Sequence, residues 1–124
     1  MVDAKNLKTN EWDESYRNRD NFVFYPHEEI IRFFARYISK RVGIHDYQPR
    51  HQLAETPKVL DVGCGIGRHL VFAVKTGVDV YGIDLSAQAI DTAKAWLAQE
   101  GWTLSEARLQ QGSITTMPWQ DACF

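Results

Sequence analysis

The period of the apolar positions changes twice along the chain. Ile30, Phe33, Phe34, Tyr37 and Ile38 recur at i, i+3, i+4, i+7 and i+8, with Arg41 continuing the series. That pattern lays one apolar face along a helix with a basic end. Pro26 suits a helical first turn, because its φ is fixed and it lacks an N–H. Glu28 and Glu29 follow, where the helix dipole favours acids. The spacing predicts a helix over about 27–41. Before it, residues 1–25 are polar with interleaved rings (Trp12, Tyr16, Phe22, Phe24, Tyr25), an arm or short helix that packs through its aromatics. After it, "VGIHDYQPRHQLAETP" reads as a connector long enough to hold a turn of its own.

From Lys58 the period shortens. "KVLDV" is a short apolar run, and "GCGIG" breaks it. Arg68 to Lys75 has the length and apolar content of a helix, and Gly77 stops it. "VDVYGID" is a second strand, with Val78, Val80 and Tyr81 as inward positions. "SAQAIDTAKAWLAQEG" is the clearest helix: Ser86 can cap its start, Ala87, Ile90, Ala93 and Leu97 share a face, and Gly101 stands just past its end. "ARLQQGS" is a third strand and "ITTMPW" a turn-forming exit. Strand, helix, strand, helix, strand at these lengths predicts an α/β fold with a Rossmann-like parallel sheet, right-handed crossovers and helices on both faces.

Composition narrows the class. The 124 residues suit one domain, and 44% hydrophobic with 24% charged residues reads as globular. A formal net charge of −2 calls for neither nucleic acid nor an anionic membrane. No apolar run approaches the roughly 20 residues of a membrane span. The two cysteines, Cys64 and Cys123, have no disulfide-framework or zinc spacing and read as reduced thiols of a cytoplasmic protein. His45 and His51 have no metal-ligand partner at a recognisable spacing, so the expected metal content is none.

The glycines carry the chemistry. A loop from the carboxyl end of a first parallel strand into a helix is where such sheets bind ligands. Glycines there admit unusual φ and let a ligand lie on bare backbone. The dinucleotide fingerprint G-x-G-x-x-G fails at its third glycine, where Arg68 or Leu70 stands, and no Gly-Lys-Ser/Thr of a P-loop follows. The spacing is instead D-x-G-x-G-x-G from Asp61 to Gly67. Asp84, at the end of the second strand, stands where a carboxylate accepts hydrogen bonds from a ribose. Asp61 beside the glycines repels a pyrophosphate and suits a ligand with an amino group or a sulfonium.

At these residues the chain resembles the class I S-adenosylmethionine-dependent methyltransferases. "VLDVGCGIGRH" is similar to their first motif, "VYGIDLS" to the second, and "LQQGSITTMPW" to the third. The resemblance implies S-adenosylmethionine as cofactor and S-adenosylhomocysteine as product. It implies that Gly63, Cys64, Gly65 and Gly67 form the loop under the methionine moiety and that Asp61 helps bind its amino group. It further implies that Asp84 holds the ribose and Leu85 flanks the adenine. Ser113 replaces a common aspartate on the adenine amino group, with the Ile114 N–H serving a ring nitrogen. "EWDESYRNRDNFVFYPHEEI" resembles the N-terminal lid of Type 11/12-like small-molecule members, in which Tyr16 covers the methionine end. The implied reaction is in-line methyl transfer to a small-molecule acceptor.

This divides the chain into a lid (1–25), a helix and connector (26–56) and a βαβαβ cofactor-binding part (57–124). Strands 3-2-1 of the family's seven-stranded sheet are encoded, so the chain reads as the cofactor half of an enzyme. Its open edge is expected to be covered by a missing C-terminal half or by another copy. No catalytic base is identified; His69 is expected to pack or cap. Two alternatives stay open: a non-catalytic S-adenosylmethionine-binding or interaction module, and a nicotinamide oxidoreductase, which the glycine spacing and Asp61 disfavour.

Overall fold

The computed structural model describes residues 4–19, 22–104, 107–119 and 124. Cys123 and residues 1–3 and 20–21 of the expected lid lie outside them. Helix α1 (Ala4–Arg17) comes first. Helix α2 (Glu28–Phe33) starts at His27, whose Nδ1 accepts the Glu29 N–H.

The helix expected over 27–41 is shorter. It widens into a π-helical turn, Phe34–Ile38, closed by the Ser39 N–H on the Phe34 carbonyl. Ser39 then turns extended, and β1 (Ser39–Arg41) pairs antiparallel with β2 (Tyr47–Pro49). The ladder gives the backbone partners that a helix would otherwise supply. Arg41 donates to the carbonyls of Gly43 and Ile44, which closes the hairpin on its own loop. Of the apolar face, Phe34 is buried (5% exposed) against Phe72, whereas Phe33 and Tyr37 are exposed and pack on each other.

The second half follows the expected order. Strand β3 (Lys58–Val62) leads to α3 (Arg68–Lys75), β4 (Asp79–Asp84), α4 (Ala87–Gln99) and β5 (Leu109–Gln111). The three strands form a parallel sheet in the order β3-β4-β5, with Asp61 beside Gly82 and Asp84 beside Gln111. Leu70, Val71, Val80, Ile90, Leu97 and Leu109 make the core between this sheet and the helices. The buried face of α4 is Ala89, Ile90, Ala93 and Leu97. Ser86 caps it by accepting the Ala89 N–H.

Where helices were expected on both faces, α3 and α4 pack against each other. Two same-handed crossovers that step in one direction across a sheet put both helices on one face. Tyr81 packs instead with Trp119 and Phe124. The far edge of β3 has no partner strand among the described residues, and Val62 beside it is 47% exposed.

Candidate functional site

The loop after β3 is shaped by its backbone. The N–H groups of Gly63 and Cys64 both donate to the Ile83 carbonyl, at 2.8 and 3.1 Å. This clips the loop to the end of β4. Gly63 (φ 71°) and Gly65 (φ 56°) lie in the left-handed region, which side chains disfavour. A Cβ on Gly63 would meet nothing within 4 Å, so bare backbone faces open space there. A Cβ on Gly65 would come 2.9 Å from the Tyr16 hydroxyl. Gly67 serves packing: its Cβ would meet that of Ala93 at 3.2 Å, so its bareness lets α3 start close against α4. The Cys64 side chain is buried in the core and burial pushes its pKa well up, so it is a neutral thiol and only its backbone belongs to the loop.

Asp84 is fixed by two backbone donors. One carboxylate oxygen accepts the Gly65 N–H and the other the Ser86 N–H, both at 2.9 Å. Each oxygen retains a further lone pair for a ligand. A cleft of about 310 Å³ is lined by Asp84 with Trp12, Tyr16, Gly63 and Leu85. Four of the residues named from the sequence, Tyr16, Gly63, Asp84 and Leu85, therefore meet in one cleft. Ser113 and Ile114 do not line it. The Ser113 hydroxyl accepts the Thr115 N–H at 3.2 Å, and Ile114 is exposed. They remain near, since the Gly112 N–H donates to the Asp84 carbonyl at 2.9 Å. A larger cleft of about 470 Å³ runs along α3 among Phe24, Phe72 and Trp96 and includes none of the acids named from the sequence.

Asp61 lies one strand over. Burial pushes its pKa up to about 6, against the lowering pull of Arg68 and with a further rise from Asp84. Its Oδ2 is buried without a hydrogen-bond partner among the described residues. His69 Nδ1 is 4.0 Å away, too far for a hydrogen bond. The other nitrogen, Nε2, accepts the His27 N–H at 3.0 Å, which assigns the ring proton of neutral His69 to Nδ1. Burial, then Arg68 and His27, lower the His69 pKa. His69 thus tethers α2 to α3, in keeping with its expected packing or capping role. Arg68 adds a second tether by donating to the Tyr25 carbonyl at 3.3 Å.

Helix α1 closes the site. Trp12 and Tyr16 stack with ring centroids 6.0 Å apart. Burial, then Asp84 and Cys64, push the Tyr16 hydroxyl up to about 12, so it stays protonated. Between them in sequence, Asp13 Oδ1 accepts the Ser86 hydroxyl and, at 3.4 Å, the Gln88 N–H. Reading the sequence missed Trp12 and Asp13 as site residues. The signal was the i, i+4 spacing of Trp12 and Tyr16, which puts both rings on one helical face.

The arrangement presents the Asp84 carboxylate beside Leu85 and the open backbone of Gly63, while Asp61 does not line this cleft. An orphaned buried oxygen and an open glycine surface both fit a nucleoside carrying a positive tail.

A sequence profile for the family described as Methyltransferase domain matches residues 59–124. The chain is 29% identical over 122 residues to a sterol 24-C-methyltransferase of Gibberella zeae, covering 96% of this chain and 30% of that protein. It is 39% identical over 51 residues to a ribosomal RNA small subunit methyltransferase C of Alcanivorax borkumensis, covering 41% of this chain and 16% of that protein. The chain therefore spans less than a third of either relative.

Proposed function

Because the chain belongs to the methyltransferase domain family, we propose that it binds S-adenosylmethionine at the carboxyl edge of β3 and β4 and forms the cofactor-binding half of a methyltransferase. The observation that carries this reading is the pairing of two differently held acids across the glycine loop. Asp84 is held by backbone amides and offers lone pairs to ribose hydroxyls. Asp61 holds a buried oxygen without a partner among the described residues, which a ligand ammonium would compensate. Gly63 leaves bare backbone facing open space beside Asp84.

Of the remaining lining residues, Leu85 would flank the adenine and Tyr16 would cover the loop, whereas Ser113 and Ile114 stand outside the cleft. When bound, the cofactor would supply an electrophilic methyl on a sulfonium for in-line transfer to a nucleophilic acceptor, with S-adenosylhomocysteine as the leaving group. The protein's part is to hold the reactants in register and exclude water. A small-molecule acceptor is favoured because the sterol methyltransferase match runs over nearly the whole chain, whereas the ribosomal RNA methyltransferase match covers 41% of it.

The edge of β3 that has no partner strand among the described residues favours a second reading, a binding module that acts only when further strands join that edge. Calorimetry of the full chain with S-adenosylmethionine, S-adenosylhomocysteine and NADH tests the cofactor assignment. Binding of both adenosyl ligands and not of NADH is expected; binding of NADH alone would overturn it.

A further inference from the structure

Two residues of α1, Trp12 and Asp13, converge on the cleft without a purpose assigned so far. The Trp12 indole is 40% exposed while lining the same cleft as Asp84 and Leu85. Single exposed rings are common on protein surfaces, but this one shares a cleft wall with Asp84 and Leu85, where its face can meet a planar ligand. Its orientation is set from two sides. Tyr16 stacks on it from the next turn. Asp13, the adjoining residue, is bonded to Ser86 and Gln88 at the start of α4. Ser86 is fully buried, so this anchor is rigid. It also stands two residues after Asp84, whose carboxylate receives the Ser86 N–H. The helix that carries Trp12 is therefore pinned to the same strand end that carries the acid and Leu85.

We propose that Trp12 is a nucleoside-contacting residue, its indole covering the purine-bearing part of the ligand in the Asp84–Leu85 cleft, and that Asp13 is the positioning residue that holds it there. The inference rests on the cofactor reading above. It adds that the lid recognises the base end through Trp12, with Tyr16 left over the glycine loop. Stacking of a base on an aromatic ring is sequence-tolerant and strong enough to be read by alanine substitution. Asp13 acts only through hydrogen bonds that it accepts, so an asparagine retains the needed oxygen.

The test is calorimetry of the full chain with S-adenosylhomocysteine and with adenosine, alongside circular dichroism to check helix content. Trp12→Ala should weaken both ligands by about tenfold or more. Trp12→Phe should stay within about threefold of the unaltered chain. Asp61→Asn should weaken S-adenosylhomocysteine and leave adenosine unchanged, which separates the two ends of the ligand. Asp13→Ala should mimic Trp12→Ala more mildly, and Asp13→Asn should restore binding. Unchanged affinity in a folded Trp12→Ala chain overturns the Trp12 assignment while leaving the cofactor reading intact. Equal losses in Asp13→Ala and Asp13→Asn overturn the role of Asp13. If the unaltered chain binds neither ligand, the cofactor reading falls, and this inference with it.

Discussion

An ionised Asp61 is held at a free-energy cost, because burial opposes its charge and one oxygen is left without a protein partner among the described residues. Its pKa is raised from 3.8 to about 6 in the fold. Between these values the folded chain binds a proton that the unfolded chain has released. The stability that this carboxyl contributes is therefore full below about pH 4 and is lost as the pH rises through about 6. A cationic ligand group reverses the balance, since it takes the ionised form. Affinity for S-adenosylhomocysteine should accordingly fall about tenfold per pH unit below pH 6, whereas Asp61→Asn should bind more weakly with a flat profile. Calorimetry from pH 5 to 8 checks this. The spacing of the two acids was legible because strand ends and glycine offsets place them directly. Asp13 was hidden in a polar helix, where only contacts made more than 70 residues away in sequence reveal its use, and Trp12 was signalled only by its i, i+4 spacing from Tyr16.

The glycines of one loop divide between two jobs, and the elements around them explain the division. Gly63 borders open space, and Gly67 sits under Ala93 where α3 and α4 meet. An alanine at Gly63 has room for its Cβ, so its cost is confined to the positive φ, about 1 kcal/mol. Its methyl would also stand where a ligand approaches. Gly63→Ala should thus lower S-adenosylhomocysteine affinity at least tenfold with a small change in melting temperature. Gly67→Ala adds a tight contact to an equally unfavourable φ and should cost about 1–3 kcal/mol of stability. Thermal melts with parallel calorimetry separate the two. The sequence could not divide them, because glycine spacing is blind to what lies above each Cα. The end of the first long helix was hidden for a related reason. Its apolar period continues to Ile38, but the backbone of Ser39 to Arg41 finds partners on Tyr47 to Pro49, a pairing that no local pattern announces.

At the level of the protein, strand, glycine loop, helix and second acid follow directly from the change of apolar period, and they bring Tyr16, Gly63, Asp84 and Leu85 to one cleft. The sheet leaves β3 with one paired side among the described residues, and the chain spans less than a third of the length of either relative. The central claim is that a nucleoside sits on Asp84. The most direct test is S-adenosylhomocysteine calorimetry on the full chain and on Asp84→Ala, with melting curves to confirm that both are folded. Loss of charge-assisted hydrogen bonds to two ribose hydroxyls predicts a fall in affinity of about 100-fold. An unchanged affinity in folded Asp84→Ala would contradict the account.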